Sequence, residues 1–225
     1  MHHTIVTRAI AALAGLSAPA FAVTPGFVES FANAGNTGFW IGGASAGTIY
    51  SNPGTGGVGG ASDGFLSVRN DRLGNFGAYN PSSDYAGNWR AAGITGLSLW
   101  LRDINTIDNF EIHISIGNGN VVGQNLWQYN VGFVPTADWQ QFTVDLANIN
   151  PANWTRIRGS GTLEDALRNA DRLLFRNDRP PFTPSPGGGS AIIGDLGVDE
   201  IRLLPAPGAA ALTAFGAMAH GRRRR

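Results

Sequence analysis

The stretch FEIHISIG, residues 110–117, constrains the fold more than any other part of the chain. Phe110, Ile112, Ile114 and Ile116 alternate with Glu111, His113 and Ser115, the period of a strand with one face in a core and one in water. GLSLWLRDI repeats the pattern with Leu97, Leu99 and Leu101, and NTIDN between the two runs reads as a hairpin loop. In WQQFTVDL, Phe142, Val144 and Leu146 share a face. RLLF and GVDEIRLL supply further strands, as do GFVESFA, GFWIGG and DGFLSVRN upstream. The glycine content, 32 of 225 residues without a G-X-Y period, goes to the turns between them, as in SNPGTGGVGG.

One segment departs from the two-residue period. In TLEDALRNADR, Leu163, Ala166, Leu167 and Ala170 recur at helical spacing, and Thr162 with Asp165 forms a capping-box-like start. NDRPPFTPSPGGGS (177–190) then reads as a long loop. No internal repeat or linker divides the chain. The fold class is all-β: an antiparallel jelly-roll β-sandwich with one short helix, spanning residues 23–204.

Composition narrows the functions. Charged residues make up 14% and balance to net zero, which removes any general attraction to nucleic acid. There is no cysteine, hence no disulfide and no thiolate metal site. His113 is the one histidine away from the chain ends, which argues against zinc; it reads as a surface residue of its strand. GASAG matches G-x-S-x-G around Ser45, but a nucleophile elbow needs a helix next, and TIYSNPGTGGVGG cannot form one.

Two carboxylates draw notice. Glu29 shares strand parity with Phe27 and Phe31, and Asp199 with Ile201 and Leu203, so both face inward from the first and last strands. An inward carboxylate requires donors or a cation. One reading is a structural Ca²⁺ held by Glu29 and Asp199 with Asp71 and Asn70 as further donors, an oxygen-only set of the kind calcium takes. The other is that both lie at strand ends, solvated or paired with Arg. DINTIDNFE lacks the glycine and terminal spacing of a calcium loop and reads as a polar tip.

The six Trp and four Tyr also admit two readings. Tyr85 with Trp89, or Trp127 with Tyr129, make a platform for stacking sugar rings if exposed; buried, they are core aromatics. Jelly-roll hydrolase or lyase chemistry needs two carboxylates facing across a cleft, and no strand face carries such a pair.

The ends of the chain carry addresses. MHHTIVTRAIAALAGLSAPAFA has a basic residue, an apolar stretch and Ala20-Phe21-Ala22, the layout of a secretory signal peptide over residues 1–22. An N-terminal signal helix and a mature chain from Val23 are expected. At the other end, Pro205-Ala206-Pro207 precedes an apolar run and Arg222, Arg223, Arg224 and Arg225. The run is shorter than a span of about 20 residues. The arginines favour the cytoplasmic side of a membrane.

This tail, over residues 205–225, resembles the PEP-CTERM sorting signal of bacterial surface proteins, with Ala206 where that family has Glu. The resemblance implies a C-terminal apolar sorting helix, transient inner-membrane retention, processing by an exosortase-type enzyme, and delivery to the cell surface or an exopolysaccharide matrix. FVESFANAGNTGFWIGG, DYAGNWRAAGITGLSLWL and IGDLGVDEIRLL resemble jelly-roll ectodomains that carry such tails. The LEDALRNADRLLFR stretch is similar to the end of laminin IV-type domains.

The leading expectation is an exported, non-enzymatic surface or matrix protein with a structural or adhesive role. The alternative is a carbohydrate-binding module that takes extracellular polysaccharide on its aromatics. A jelly-roll glycoside hydrolase or lyase comes third.

Overall fold

The computed structural model describes residues 23–42, 47–105, 108–120, 122–182 and 189–207. Residues 1–22, Ser45 and Arg222–Arg225 lie outside the described residues. Among the described residues the chain forms β1 (Val28–Glu29), β2 (Thr48–Ser51), β3 (Leu66–Asn75), β4 (Gly77–Asn80), β5 (Ile94–Asp103) and β6 (Ile112–Asn118). It continues through β7 (Asn125–Tyr129), β8 (Gln140–Asp145), a 3₁₀ turn (Pro151–Asn153) and β9 (Trp154–Gly159). The helix α1 (Leu163–Arg168), β10 (Arg172–Asn177) and β11 (Ala191–Pro205) complete it.

Two antiparallel sheets result. The first runs β2-β3-β11-β5-β8, with β1 also paired to β11; the second runs β4-β10-β6-β7-β9. The architecture is a jelly-roll β-sandwich. Its longest strand, β11, holds the first sheet together: β3 and β5 flank it, and β1 takes over one side where Glu29 faces Ile201.

The alternating residues meet between the sheets. Leu97, Leu99 and Leu101 from β5 and Ile112, Ile114 and Ile116 from β6 are all at most 1% exposed. Each such side chain contributes about 1.5–3 kcal/mol on leaving water. Trp40, Phe76, Phe110 and Phe175 fill the same core. The helix forms as its spacing predicts: Thr162 accepts from the Asp165 amide, Asp165 reaches back to the Thr162 amide, and Leu163, Ala166 and Leu167 face inward.

Two expectations are corrected. NTIDN does not close a hairpin, because β5 and β6 lie in opposite sheets, paired to β11 and β8 and to β10 and β7 respectively. Each strand buries one apolar face, and the chain crosses so that the two faces meet. Nor is His113 a surface residue: it and Ser115 are fully buried on the outer face of β6. The Phe182 ring packs edge-on against the imidazole at 4.8 Å. Nδ1 lies 2.8 Å from the Tyr129 carbonyl, which places a proton on Nδ1, and Nε2 lies 3.2 Å from Glu111. Beside it Arg176 donates to Gln128 and Asp178, each at 2.6 Å, so this covered face is polar and largely bonded.

Candidate functional site

At the edge of the sandwich a cavity of about 460 Å³ opens between β7, β9, the 3₁₀ turn and the start of α1. Its apolar lining is Trp127, Ile149, Pro151 and Leu163; its polar lining is Arg90, Arg156, Thr162 and Glu164. A concave, mostly apolar site with a few placed polar groups is the usual form of a small-ligand site.

Local structure positions each group. Trp127 is half-buried, with its inner part packed on the core. Its indole Nε1 donates to Asn125 Oδ1 at 2.8 Å, and Asn125 Nδ2 donates to the Thr162 carbonyl at 2.8 Å. One buried amide therefore ties the indole to the first residue of the helix cap. The ladder between β7 and β9 shifts register between Leu126 and Trp127, which sets Arg156 opposite Trp127. Such a bulge re-aims side chains.

The charges differ in how far they are committed. Arg90 donates from Nε to Glu164 at 2.9 Å and from Nη1 to the Leu146 carbonyl at 2.7 Å. Glu164 also accepts from Arg168 at 3.0 Å. Burial raises its carboxyl, but the bonds from Arg90 and Arg168 outweigh this and hold it below the usual range, so it is ionised at neutral pH. Arg156 is exposed and donates from Nη1 to the Gly161 carbonyl at 3.1 Å.

The other aromatics named from the sequence do not join this site. Tyr85 and Trp89 are fully buried. Tyr85 donates its hydroxyl to Glu29 and packs edge-on against Phe27 and Trp40; Trp89 Nε1 donates to the Tyr85 carbonyl. Their polar tips find partners inside the protein, which is how such rings are accommodated in a core. Tyr129 packs on Trp154 at 5.2 Å and on Phe133 at 6.4 Å, and belongs to the core wall. Of the four, Trp127 alone lines the cavity.

Glu29 faces inward as parity predicts; Asp199 does not, because the bulge in β11 keeps Val198, Ile201 and Leu203 in the core and turns Asp199 to the other face. Glu29 accepts from Trp40 Nε1 and the Tyr85 hydroxyl, each at 2.9 Å; burial pushes its carboxyl up, against the pull of these donors. Asp199, fully buried, accepts from the Val58 and Glu200 amides at 2.8 and 2.7 Å. Burial pushes its carboxyl up to about 7, with Asp63 and Glu200 adding to the rise. Asp71 lies outside, 3.7 Å from Arg72. Among the described residues no group of three or more His, Asp or Glu is placed to hold a metal. Grouping Glu29, Asp71 and Asp199 is thus corrected: β11 is bulged between Asp199 and Arg202, which turns Asp199 toward the Val58 loop while Glu29 faces Ile201. At the chain's end, Pro205 still belongs to β11, and the Ala206 amide donates to the Gly93 carbonyl at 2.8 Å.

Trp127 is the one residue of this site that sequence reasoning named for binding; Arg90, Arg156, Thr162 and Glu164 in the lining, and Asn125 behind it, were missed. NLWQY does place Asn125 on the same strand face as Trp127, two residues apart, and that signal was readable. Arg156 had none, because its place beside Trp127 follows from a register shift.

No family model matches the chain, and no curated protein matches it. Solved structures do. The family 11 carbohydrate-binding module of the cellulosomal cellulase Lic26A-Cel5E of Clostridium thermocellum superposes with a TM-score of 0.52 at 20% identity, covering 82% of this chain and 96% of that one. An exo-β-agarase matches with a TM-score of 0.50 at 10% identity, covering 81% of this chain and 26% of that one. These likenesses define the class at the level of fold: a jelly-roll β-sandwich of the form that a carbohydrate-binding module takes.

Proposed function

We propose that the protein is a non-catalytic carbohydrate-binding module, exported and sorted to the cell surface or its polysaccharide matrix, where it holds extracellular polysaccharide. The observation that carries the binding reading is Trp127, a partly buried indole pinned by Asn125 in the wall of a cavity of about 460 Å³. An indole fixed through its N–H keeps its apolar face for a sugar ring, and the surrounding Arg90, Arg156, Thr162 and Glu164 offer partners for hydroxyls. The fold shared with a carbohydrate-binding module supports the same reading.

Catalysis fits poorly. Glycoside hydrolysis uses two carboxyl groups flanking the bond, one of them a protonated acid. Among the described residues Glu164 is the single carboxylate in the lining, and its two arginine partners keep it ionised.

Export through residues 1–22 and sorting through Pro205-Ala206-Pro207 with Arg222–Arg225 are the localisation we propose, on the resemblance of the tail. The binding reading is tested by a glycan array on the purified protein beside Trp127→Ala. Bound glycans that are lost with Trp127 support it; an empty array, or binding indifferent to that substitution, overturns it.

A further inference from the structure

We propose that the cavity is selective for an acidic saccharide, a chain bearing uronate residues, with Arg156 as the residue that reads the carboxylate. The proposal rests on the carbohydrate reading and deepens it.

The argument is one of uncommitted charge. Among the described residues three charged side chains line the cavity: Arg90, Arg156 and Glu164. Glu164 is met by Arg90 at 2.9 Å and by Arg168 at 3.0 Å, so its charge is answered within the protein. Arg90 has both Nε and Nη1 engaged. Arg156 makes one hydrogen bond among the described residues, to the Gly161 carbonyl, out of the five that a guanidinium can donate. The surplus at the site is therefore positive, and Arg156 is the lining arginine with no carboxylate partner among the described residues. The chain as a whole has no net charge, so the preference is local rather than a general attraction to polyanions.

Geometry gives that charge its use. Trp127 and Arg156 are direct cross-strand partners on β7 and β9. Such partners hold their Cβ atoms about 4.5–5.5 Å apart. A pyranose stacked on an indole carries its C5 substituent at the ring's edge, outside the stacked face. A guanidinium one strand away meets a group at that edge, and its planar fork matches a carboxylate with two parallel hydrogen bonds. A neutral hydroxymethyl group there takes no charge-assisted bond.

The test is calorimetric titration of the full-length protein with oligogalacturonate and oligomannuronate, each beside its methyl ester, and with a neutral cello-oligosaccharide. The ester keeps the ring and removes the charge. The expected result is that at least one acidic oligosaccharide binds about tenfold more tightly than its ester, the size of one charge-assisted bond. Arg156→Gln removes that preference without weakening the ester, Arg156→Lys restores it in part, and Trp127→Ala weakens acid and ester alike. Equal binding of acid and ester, preference surviving in Arg156→Gln, or binding of the neutral chain alone overturns the acidic specificity and leaves the carbohydrate reading standing. Failure of every saccharide, here and on the array, overturns both.

Discussion

A single buried carboxylate shows what residue-scale chemistry demands. Glu29 lies half-buried against aromatic side chains and stays there because Trp40 and Tyr85 each donate to it at 2.9 Å. Removing one donor leaves a desolvated acceptor unmet, which costs more than the bond's net worth. Tyr85→Phe keeps the ring and its packing and loses only the hydroxyl. It is expected to cost about 1–3 kcal/mol, read from denaturant titration. A loss within error would mean that Trp40, with the Asn80 amide that also donates to Glu29 at 3.5 Å, satisfies it alone. Trp127 is the counter-case: its N–H is satisfied by Asn125, and the partly buried ring lines the cavity. Trp127→Ala is expected to weaken saccharide binding by at least about tenfold. Trp127→Phe, which retains the packing against the core, should retain part of that affinity.

At the scale of elements, β6 and β10 are covered on both faces, and their outer faces carry His113, Ser115 and Arg176. Burial pulls the Arg176 guanidinium down from its ordinary value, and Asp178 at 2.6 Å counters that pull. Breaking such a pair from one side leaves an unanswered buried charge. Asp178→Ala is therefore expected to destabilise the fold by about 3–5 kcal/mol, visible as a drop in melting temperature. Arg176→Met combined with Asp178→Asn, which removes both charges, should cost far less. Equal losses in the two would show that the pair matters for packing rather than charge. The helix teaches the opposite lesson about scale. Its capping box was legible from Thr162 and Asp165 alone, because a cap is built within four residues.

For the whole molecule, the described residues that line the cavity run from Arg90 to Glu164. Deleting residues 208–225 is expected to leave saccharide affinity unchanged and to release the protein from the cell surface, measured by titration and by fractionating cells. Intact tail persisting on protein in the outer fraction would count against processing by an exosortase-type enzyme.

What the amino-acid order determined alone is whatever its short-range periods encode. Leu97, Leu99 and Leu101, then Ile112, Ile114 and Ile116, marked the core faces of two strands, and Thr162 marked the helix start. The inward parity of Glu29 was legible in the same way, whereas that of Asp199 was undone by the bulge in β11. What only the tertiary structure decided is which elements meet. The run NTIDN looks the same whether it closes a hairpin or crosses between sheets, because a loop's composition does not name the partner of either strand. Tyr85 and Trp127 are alike as aromatics, yet one reaches Glu29 across 56 positions and is sealed in, while the other stops at an open edge. Arg156 stands beside Trp127 through one register shift in a ladder joining residues about thirty apart. Exposure and adjacency are set by packing between distant segments, and local pattern carries no record of either.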